Sequence, residues 1–365
     1  MKIAIVAGGT GGHIYPGLAL ACELRKIKPE IEILFLGSEE GLEKELVPRE
    51  NFKIKIIKAR ALLRKFSYRS VSAPFVSVIG FFQALRILYS FHPSFLVSFG
   101  GYVSFPVVAA AKLLGIPILI HEQNVLPGIV NRLLARWARQ VFLSFEESKK
   151  YFSFDQLKGY VVGNPIRPEI VSANREDSRK ALGFTTSDFV VLVMGGSQGA
   201  RKINEVLLAS LPLIEESNLS HLKILHIVGK RDISWIDEAL ATKSYPFYKK
   251  VDYLYNVAGA LAAADLVVSR AGATAIAEFL ARGLPMILIP FPYSAENHQK
   301  LNARVVAEHG AAVVIENDQF TKEKLFSIIC ELKPRLKELE KAAKKMAKLD
   351  AARKIADWIF AYERN

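Results

Sequence analysis

Two glycine-rich segments of the sequence have the composition of anion-binding loops. They span residues 7–13 (AGGTGGH) and 195–201 (GGSQGAR), and each follows a short apolar run. Glycines let a backbone approach an anion closely, and a helix that begins after such a turn adds N–H groups and positive potential. Four glycines exceed what a tight turn needs, so we expect a ligand loop in the first segment. It is neither a dinucleotide fingerprint, because Ile14 stands sixth from Gly9, nor a P-loop, because no Gly-Lys-Ser/Thr follows.

His13 closes the first glycine segment and Ser197 lies within the second. An imidazole titrates near neutral pH, so His13 is a candidate general base, and a helix cap or a packing histidine is the alternative. The Ser197 hydroxyl and the neighbouring N–H groups could hold a phosphate, whereas the structural alternative is an N-cap.

Polar residues also follow several other apolar runs. They are Ser98–Tyr102 (SFGGY), His121–Asn124 (HEQN), Ser269–Glu278 (SRAGATAIAE) and Glu296–Gln299 (ENHQ). Ligands of parallel sheets bind at the carboxyl ends of strands, and hydroxyl-rich ligands such as sugars need clustered donors and acceptors. Glu278 can accept from two adjacent hydroxyls, as on a ribose; a solvated glutamate in a first helical turn is the alternative.

No metal site is expected from these clusters. His121 and Glu122 are adjacent, no second histidine follows at helical spacing, and the chain has no Asp-x-Asp pair. Two cysteines, Cys22 and Cys330, cannot form a disulfide framework or a Cys-based zinc site. We therefore expect no metal and no cofactor.

The elements that must position these residues alternate between strands and helices. Strands are predicted at Ile3–Ala7, Ile31–Leu36, Phe52–Ile57, Phe95–Ser98, Ile116–Ile120 and Val141–Leu143, and again at Phe189–Met194, Leu222–Val228, Leu266–Ser269, Met286–Ile289 and Ala312–Ile315. Helices are expected at Leu18–Ile27, Glu39–Glu50, Val71–Tyr89, Thr274–Leu280, Asn297–His309 and Thr321–Met346. Such alternation predicts an α/β chain with parallel sheets.

The pattern restarts midway, which predicts two domains. They cover residues 1–163 and 164–350, with residues 162–165 (VGNP) as the linker. The last helix, residues 351–363, carries an apolar stripe that we expect to pack back onto the first domain. A chain of 365 residues with 51% hydrophobic and 23% charged residues is long enough for two cores and excludes a disordered or fibrous protein.

The formal net charge of +13 is concentrated in the first domain. Residues 1–163 hold 21 basic and 12 acidic side chains, and residues 51–121 hold no Asp or Glu. Such a run predicts an anionic partner: nucleic acid, phospholipid or a phosphorylated substrate. No uninterrupted run of about 20 apolar residues exists. We expect a cytoplasmic protein, or one peripheral on the inner face of a membrane.

The helix expected at Val71–Tyr89 is apolar on more than one face. A helix covering one side of a sheet needs one apolar face, so part of this surface should remain exposed; deep burial is the alternative. Arg64, Lys65 and Arg69 come just before this helix in the sequence. We predict docking on an anionic membrane through Arg64, Lys65, Arg69, Phe75, Val76, Ile79 and Phe82.

In this order, the motifs resemble those of the peptidoglycan N-acetylglucosaminyltransferase family that converts lipid I to lipid II. The matching segments are Gly8–His13, Gly100–Tyr102, His121–Asn124, Gly163–Arg167, Gly195–Arg201, Arg270–Glu278 and Glu296–Asn302, and together they span the chain. The resemblance implies a GT-B fold, with two Rossmann-like domains facing across a cleft. It also implies transfer of GlcNAc from UDP-GlcNAc to the C4 hydroxyl of MurNAc on a diphospho-undecaprenyl lipid, with inversion.

The resemblance assigns roles to individual residues. His13 would be the catalytic base. UDP-GlcNAc would contact Thr10, Gly11, Gly12, Asn124, Arg167, Ser197, Leu254, Ala273, Thr274, Ala275, Ile276, Ala277, Glu278 and Gln299. The acceptor diphosphate would lie on Gly9, Gly12, Gly100 and Gly101. Implied partners are UDP-GlcNAc, lipid I, the cytoplasmic face of the inner membrane and other cell-wall synthesis or division proteins.

Three alternatives were weighed. A diacylglycerol sugar transferase or a UDP-GlcNAc epimerase would share this layout, but His121–Asn124 together with Gly195–Arg201 favours the peptidoglycan enzyme. A nucleic-acid-binding protein would explain the basic first half. That interpretation lacks interleaved aromatic and basic residues and any helix-turn-helix or zinc pattern, and it leaves the polar clusters of the second half unexplained.

Overall fold

The computed structural model describes residues 1–60, 68–152, 159–196, 199–217, 219, 221–252, 254 and 256–363, with side chains omitted for residues 68–74. The chain forms two compact units. Unit 1 combines Met1–Arg167 with Lys348–Asn365, and unit 2 is Pro168–Ala347. The boundary expected after Gly163 therefore lies four residues later. The Gly163 carbonyl is bonded to the His121 side chain of unit 1, which keeps the segment after β7 on that unit.

Unit 1 is built on a parallel sheet whose order, in the described residues, is β3-β2-β1-β4-β5-β6-β7. Its strands are β1 (Lys2–Val6), β2 (Glu32–Ser38), β3 (Lys53–Ile57), β4 (Phe95–Ser98), β5 (Ile118–Glu122), β6 (Gln140–Leu143) and β7 (Gly159–Val161). The order reverses between β1 and β4, which is where doubly wound sheets bind ligands. The glycine segments after these two strands therefore start at one crevice.

Helices cover both faces of this sheet. They are α1 (Gly11–Ile27), α2 (Glu43–Arg49), α3 (Tyr68–Phe91), α4 (Ser104–Leu113), α5 (Ile129–Leu134) and, after the chain returns from unit 2, α15 (Ala351–Glu363). In α15, Ile355, Ala356 and Ile359 are buried in the core that includes β1 and α1. The last helix thus packs on unit 1, as its apolar stripe predicts.

Unit 2 has a second parallel sheet, with the order β10-β9-β8-β11-β12-β13 among the described residues. Its strands are β8 (Phe189–Met194), β9 (Leu222–Ile227), β10 (Tyr248–Val251), β11 (Leu266–Ser269), β12 (Met286–Leu288) and β13 (Ala312–Val314). Strand order again reverses, here between β8 and β11. The segments that begin at Gly195 and Arg270 leave the carboxyl ends of those two strands.

The helices of unit 2 flank this sheet. They are α6 (Pro168–Ser172), α7 (Arg175–Leu182), α8 (Arg201–Glu216), α9 (Ile233–Ala239), α10 (Ala258–Ala263), α11 (Ala273–Ala281), α12 (His298–Glu308), α13 (Lys322–Leu332) and α14 (Leu336–Met346). The single helix expected over Thr321–Met346 is wrong. Pro334 lacks an N–H and falls in a short 3₁₀ turn, Lys333–Arg335, between α13 and α14.

Candidate functional site

The first glycine segment leads directly into α1. Gly9 has a φ of +93°, and Thr10 is the extended N-cap residue. The N–H groups of His13 and Ile14 donate to the Thr10 carbonyl at 3.1 and 3.3 Å. His13 therefore lies in the first turn of a 17-residue helix and not at the apex of a loop, which corrects the expected start at Leu18. The amino end of α1 faces the crevice, where a helix attracts anions.

A buried carboxylate lies behind this segment. Glu43 is 0% exposed; its Oε2 accepts from the Gly9 N–H at 3.1 Å, and its Oε1 accepts from the Ser38 N–H and hydroxyl at 2.7 and 2.8 Å. The Gly9 N–H is therefore engaged by the protein and is not directed at a ligand, contrary to the expected diphosphate contact. Glu43 is not among the site residues predicted from the sequence, although its position soon after β2 was the available signal.

The second glycine segment of unit 1 lies against the first. Gly100 and Gly101 have φ values of +92° and +86°, and a Cβ on Gly101 would lie 2.4 Å from the Gly8 carbonyl oxygen. The Ser38 hydroxyl gives its proton to Glu43, so the Tyr102 hydroxyl, 2.7 Å away, donates to Ser38. Tyr102, Ser38 and Glu43 thus connect the two glycine segments.

His13 lies beside the second glycine segment. Its Cδ2 is 3.4 Å from the position of a Cβ on Gly100, and its Nδ1 is 3.7 Å from that on Gly101. A Cβ at Gly100 would be in van der Waals contact with the imidazole. The structure therefore brings His13, Gly100 and Gly101 together, three residues that the sequence analysis took from separate motifs.

The cluster at the end of β5 is mostly structural. His121, Glu122 and Gln123 are at most 2% exposed, and only Asn124 is half-buried. His121 Nε2 donates to the Gly163 carbonyl at 2.9 Å, so Nδ1 accepts from Gln123 at 3.2 Å. Burial lowers the pKa of His121 to about 4, so the ring is neutral. Asn124 remains the member suited to contact a ligand.

Arg167 belongs to unit 1, not to the second domain in which it was expected. Its guanidinium carbon lies 4.0 Å from the centroid of the Tyr15 ring on α1, and the residue is 8% exposed. This stacking holds Arg167, the last residue before the chain enters unit 2, against the helix that carries His13.

The glycines of the segment after β8 have steric causes. A Cβ on Gly195 would lie 2.3 Å from the Ala200 nitrogen, and one on Gly199 would lie 2.7 Å from the Val228 carbonyl oxygen. Gly196 and Gly199 also have positive φ values. The glycine content alone therefore does not indicate a ligand here. Ser197 lies outside the described residues, so its predicted phosphate contact stays a prediction.

Behind this segment, a buried network connects α8 to β9 and β10. His226 Nε2 donates to Asn204 Oδ1 at 3.0 Å, and its Nδ1 accepts from the Tyr248 hydroxyl at 2.8 Å. Asn204 Nδ2 donates to Asp232 at 2.8 Å and to the Val228 carbonyl at 3.2 Å. Burial lowers the pKa of His226 to about 3, so this histidine is also neutral.

The segment after β11 forms the amino end of α11, with Gly272 as the N-cap residue. Thr274, Ala275 and Ala277 are half-buried, and Glu278 is 6% exposed. Glu278 is therefore not a solvated first-turn carboxylate. The side chain of Ile276 is 0% exposed, and its N–H donates to the Gly272 carbonyl at 2.9 Å. The side chain of Ile276 thus serves the core, and its predicted contact with the donor stays a prediction. Ala273, at 6% exposed, is nearly as buried.

Gln299 on α12 reaches back to the same sheet edge. Its Oε1 accepts from the N–H groups of Ala271 at 3.2 Å and Phe291 at 3.0 Å. Since the oxygen is used by the fold, the amide NH₂ is the part suited to donate to a ligand hydroxyl.

Leu254, which was also predicted to contact the donor, is half-buried.

Part of the expected membrane surface is exposed. Phe75, Val78, Ile79 and Phe82 on α3 are 73%, 55%, 47% and 61% exposed, and Val76 is half-buried. The other side of α3 places Ala84 and Leu88 in the core, which explains the apolar excess. Arg64 and Lys65 lie outside the described residues, as does the side chain of Arg69.

Because His121 and His226 are neutral in the folded chain, we expect acid to lower the stability of the protein. An unfolded histidine has a pKa near 6.5, whereas His121 and His226 stay unprotonated in the folded chain down to about 4 and 3. The unfolded state therefore binds protons first, and stability present above pH ~6.5 is lost as pH falls. We expect each histidine to lower the unfolding free energy by about 2 kcal/mol between pH 7 and 5.

Urea unfolding at pH 7, 6 and 5 measures this effect, with His121→Gln and His226→Gln each expected to flatten the pH dependence. His309→Gln, whose Nδ1 contacts only the Val305 carbonyl of its own helix among the bonds described, serves as the control. Equal stability of the parent chain at pH 7 and pH 5 would show that these histidines are not kept neutral by the fold.

In the described residues, no group of three or more His, Cys, Asp or Glu is arranged to hold a metal ion. Nor does any helix described here have the length and apolar character needed to cross a bilayer.

Comparison with known proteins connects both units to one family. Residues 3–143 match the glycosyltransferase family 28 N-terminal domain, and residues 190–359 match the family 28 C-terminal domain. The UDP-N-acetylglucosamine–N-acetylmuramyl-(pentapeptide) pyrophosphoryl-undecaprenol N-acetylglucosamine transferase of Desulforamulus reducens is 40% identical over 100% of this chain and 98% of its own length. The transferase of the same name from Halothermothrix orenii is 42% identical over 95% of each.

Solved structures also resemble this chain. The crystal structure of Acinetobacter baumannii MurG superposes with a TM-score of 0.76 at 29% identity, covering 99% of each chain. UDP-GlcNAc 2-epimerase from Neisseria meningitidis, bound to UDP-GlcNAc, has a TM-score of 0.70 at 14% identity, over 99% of this chain and 100% of that one, which shows a shared fold alone. The architecture is the GT-B fold with two Rossmann-like units. This chain, similar over its whole length to transferases of one name, belongs to the UDP-N-acetylglucosamine–N-acetylmuramyl-(pentapeptide) pyrophosphoryl-undecaprenol N-acetylglucosamine transferases of glycosyltransferase family 28.

Proposed function

We propose that the chain transfers GlcNAc from UDP-GlcNAc to the C4 hydroxyl of MurNAc in undecaprenyl-diphospho-MurNAc-pentapeptide, with inversion at the anomeric carbon. The observation that carries this proposal is the 40% identity to a transferase of that name over the full length of this chain. The polar residues at the sheet switch points of both units are in keeping with it. UDP release that requires both UDP-GlcNAc and a lipid I analogue tests it, and release without the acceptor would oppose it.

The donor is assigned to unit 2 in this proposal. Glu278 accepts from the ribose hydroxyls, Gln299 donates its amide NH₂ to a sugar hydroxyl, and the amino end of α8 with Ser197 receives the diphosphate. Thr274, Ala275 and Ala277 form a small-residue surface that a sugar can approach.

The acceptor is assigned to unit 1. Its diphosphate approaches Gly12 and Gly100–Gly101 at the amino end of α1, where the helix supplies positive potential. His13, beside Gly100, removes the proton from the acceptor hydroxyl as that oxygen attacks the anomeric carbon of GlcNAc. UDP departs with the bonding electron pair, and the proton passes from His13 to solvent.

We expect transfer to survive removal of metal ions. The chain has no Asp-x-Asp pair, and a helix amino end can stabilise the charge of the departing diphosphate in place of a cation. The measurement is the rate of GlcNAc transfer in excess EDTA, with added Mg²⁺ in a parallel reaction. Complete loss of turnover in EDTA and recovery with Mg²⁺ would contradict this prediction.

The enzyme docks peripherally on the cytoplasmic face of the inner membrane through unit 1, where its lipid-linked acceptor resides. α4 packs against α3 and also carries exposed apolar side chains: Phe105 and Leu113 are 45% and 67% exposed. Exposed Arg86 and Lys112 lie on the same two helices. Inserted apolar side chains and basic residues near anionic headgroups both stabilise such docking.

Replacement of Ile79 and Phe82 by glutamate should weaken binding to anionic vesicles about 10- to 100-fold, because two apolar contacts are lost and two negative charges face the headgroups. Vesicle co-sedimentation at two salt concentrations measures it. The control, Val171→Glu/Leu349→Glu, makes the same change at exposed apolar residues of other segments. Parental binding by the folded Ile79→Glu/Phe82→Glu variant would locate the docking surface elsewhere.

A further inference from the structure

Glu122, at the end of β5, is a buried carboxylate that accepts four hydrogen bonds in the part of the chain that the structure describes. Its Oε1 accepts from the Asn124 N–H at 2.9 Å and from Asn124 Nδ2 at 3.1 Å. Its Oε2 accepts from the Gly128 N–H at 3.1 Å and from Asn131 Nδ2 at 2.8 Å. Burial raises the pKa of the Glu122 carboxyl, and the four donated bonds counteract this effect. None of these four groups can accept a proton from a carboxylic acid, so their geometry fits the ionised carboxylate.

This arrangement fixes the orientation of two carboxamides. Each amide has one accepting oxygen and one donating NH₂, and in both Asn124 and Asn131 the NH₂ bonds Glu122. Asn131 Nδ2 also lies 3.3 Å from the His121 carbonyl oxygen. A reversed Asn131 amide would place its oxygen against a carboxylate and a carbonyl, so the amide oxygen must point the other way.

The Asn131 carboxamide is buried beside the second glycine segment. Asn131 is 3% exposed, and its Oδ1 has no hydrogen-bond donor within the part of the chain that the structure describes. The position of a Cβ on Gly100 lies 3.3 Å from Nδ2 and 3.4 Å from Oδ1 of this amide, and 3.4 Å from His13 Cδ2. Asn131 and His13 therefore border the same side of Gly100.

We propose that Asn131 is a further acceptor-binding residue whose Oδ1 accepts a hydrogen bond from a hydroxyl of the acceptor sugar, and that Glu122 is the positioning residue that holds this oxygen toward the sugar. The inference rests on the proposed transferase function and adds a contact to it. A buried acceptor without a donor is unfavourable, so a ligand hydroxyl that satisfies it gains affinity. Asn124, fixed by the same carboxylate, likewise presents its oxygen away from Glu122.

Asn131→Leu is expected to raise the KM for a lipid I analogue about 10-fold, because one buried hydrogen bond is lost. The Kd for UDP-GlcNAc should stay within about twofold of the parent value. Gln140→Leu is the matched control: it removes a buried amide at the amino end of β6, away from the glycine segments, and should leave the acceptor KM unchanged.

The specific contact is tested with an acceptor analogue that lacks the C6 hydroxyl, because the single proton of the C4 hydroxyl is directed at His13. Measured as an equilibrium ligand, this analogue should bind the parent enzyme about 10-fold more weakly than the complete acceptor, whereas Asn131→Leu should bind both with similar affinity. If the analogue loses affinity equally in parent and variant, Asn131 does not contact this hydroxyl.

The positioning role of Glu122 is tested in a double-variant cycle with Asn131→Leu. Glu122→Gln alone should weaken acceptor binding, because the amide NH₂ introduced at position 122 faces donors that the carboxylate accepts from, and the Asn131 amide is no longer held. In the Asn131→Leu background, Glu122→Gln should cause little further loss of acceptor affinity, because the oxygen that Glu122 positions is already absent. Additive losses would overturn the assignment.

Failure of this inference can be separated from failure of the proposed function. If the parent enzyme does not transfer GlcNAc to the lipid I analogue, the proposed function fails. If the parent transfers GlcNAc and Asn131→Leu keeps the parental acceptor KM while folded, only the role of Asn131 fails.

Discussion

Replacement of His13 by alanine is expected to lower kcat for GlcNAc transfer by ~10²–10⁴-fold, the usual range for loss of a general base. His13 lies in the first turn of α1, and its ring adjoins Gly100 and Gly101 at the crevice of unit 1. The affinity for UDP-GlcNAc should change little, since the base acts on the acceptor hydroxyl. Steady-state kinetics with separate donor and acceptor titrations measure both quantities.

His13→Gln keeps much of the side-chain volume and hydrogen bonding but cannot act as a base, so it should be as slow as the alanine variant. His309→Ala, at the end of α12, controls for loss of a histidine and should keep the parental kcat. If His13→Ala retains near-normal kcat, or if His13→Gln restores it, the histidine has a packing role only.

Replacement of Glu278 by alanine is expected to raise the KM for UDP-GlcNAc about 10- to 100-fold, with a smaller effect on kcat. A charge-assisted hydrogen bond contributes about 1.5–3 kcal/mol, so loss of even one of the two bonds to the ribose hydroxyls accounts for a rise of this size. Glu278 is buried in the first two turns of α11, next to the small-residue surface of Thr274 and Ala275. That position suits a ligand contact at a helix amino end.

A donor whose ribose lacks the 2′ hydroxyl separates a ribose contact from a structural role. The parent enzyme should bind this donor more weakly than UDP-GlcNAc, whereas Glu278→Ala should bind both donors with similar affinity. If Glu278→Ala lowers the melting temperature but leaves the donor KM unchanged, the buried carboxylate serves the fold of unit 2 alone.

Much of the fold was predictable because the core strands are continuous apolar runs. β1, β8 and β11 lie within one residue of their predicted positions, as parallel strands covered on both faces should. Edge strands were harder to predict. β10 (YKKV) carries two lysines at an edge of its sheet, and β7 has three residues. Neither has the apolar pattern by which the core strands were recognised.

Site motifs were predictable, but their internal connections were not. The glycines, His13 and the polar strand ends could be recognised by residue type. Glu43 and Asn131 could not, because they are helix residues whose hydrogen-bond partners, Gly9 and Glu122, become their neighbours only in the folded unit. Ile276 lies inside a predicted contact segment, yet its side chain is in the core, so only its main chain could make the predicted contact. Burial on one helical face depends on tertiary packing, which local spacing does not fix.

The most direct test of the proposed function is the product formed from radiolabelled UDP-GlcNAc and a lipid I analogue by the purified full chain in excess EDTA. We expect label to move to the lipid fraction, with a β1→4 linkage to MurNAc by NMR and one UDP released for each GlcNAc transferred. Label that stays in a nucleotide sugar, converted to its C2 epimer without any acceptor, would contradict the account and indicate an epimerase on the same fold.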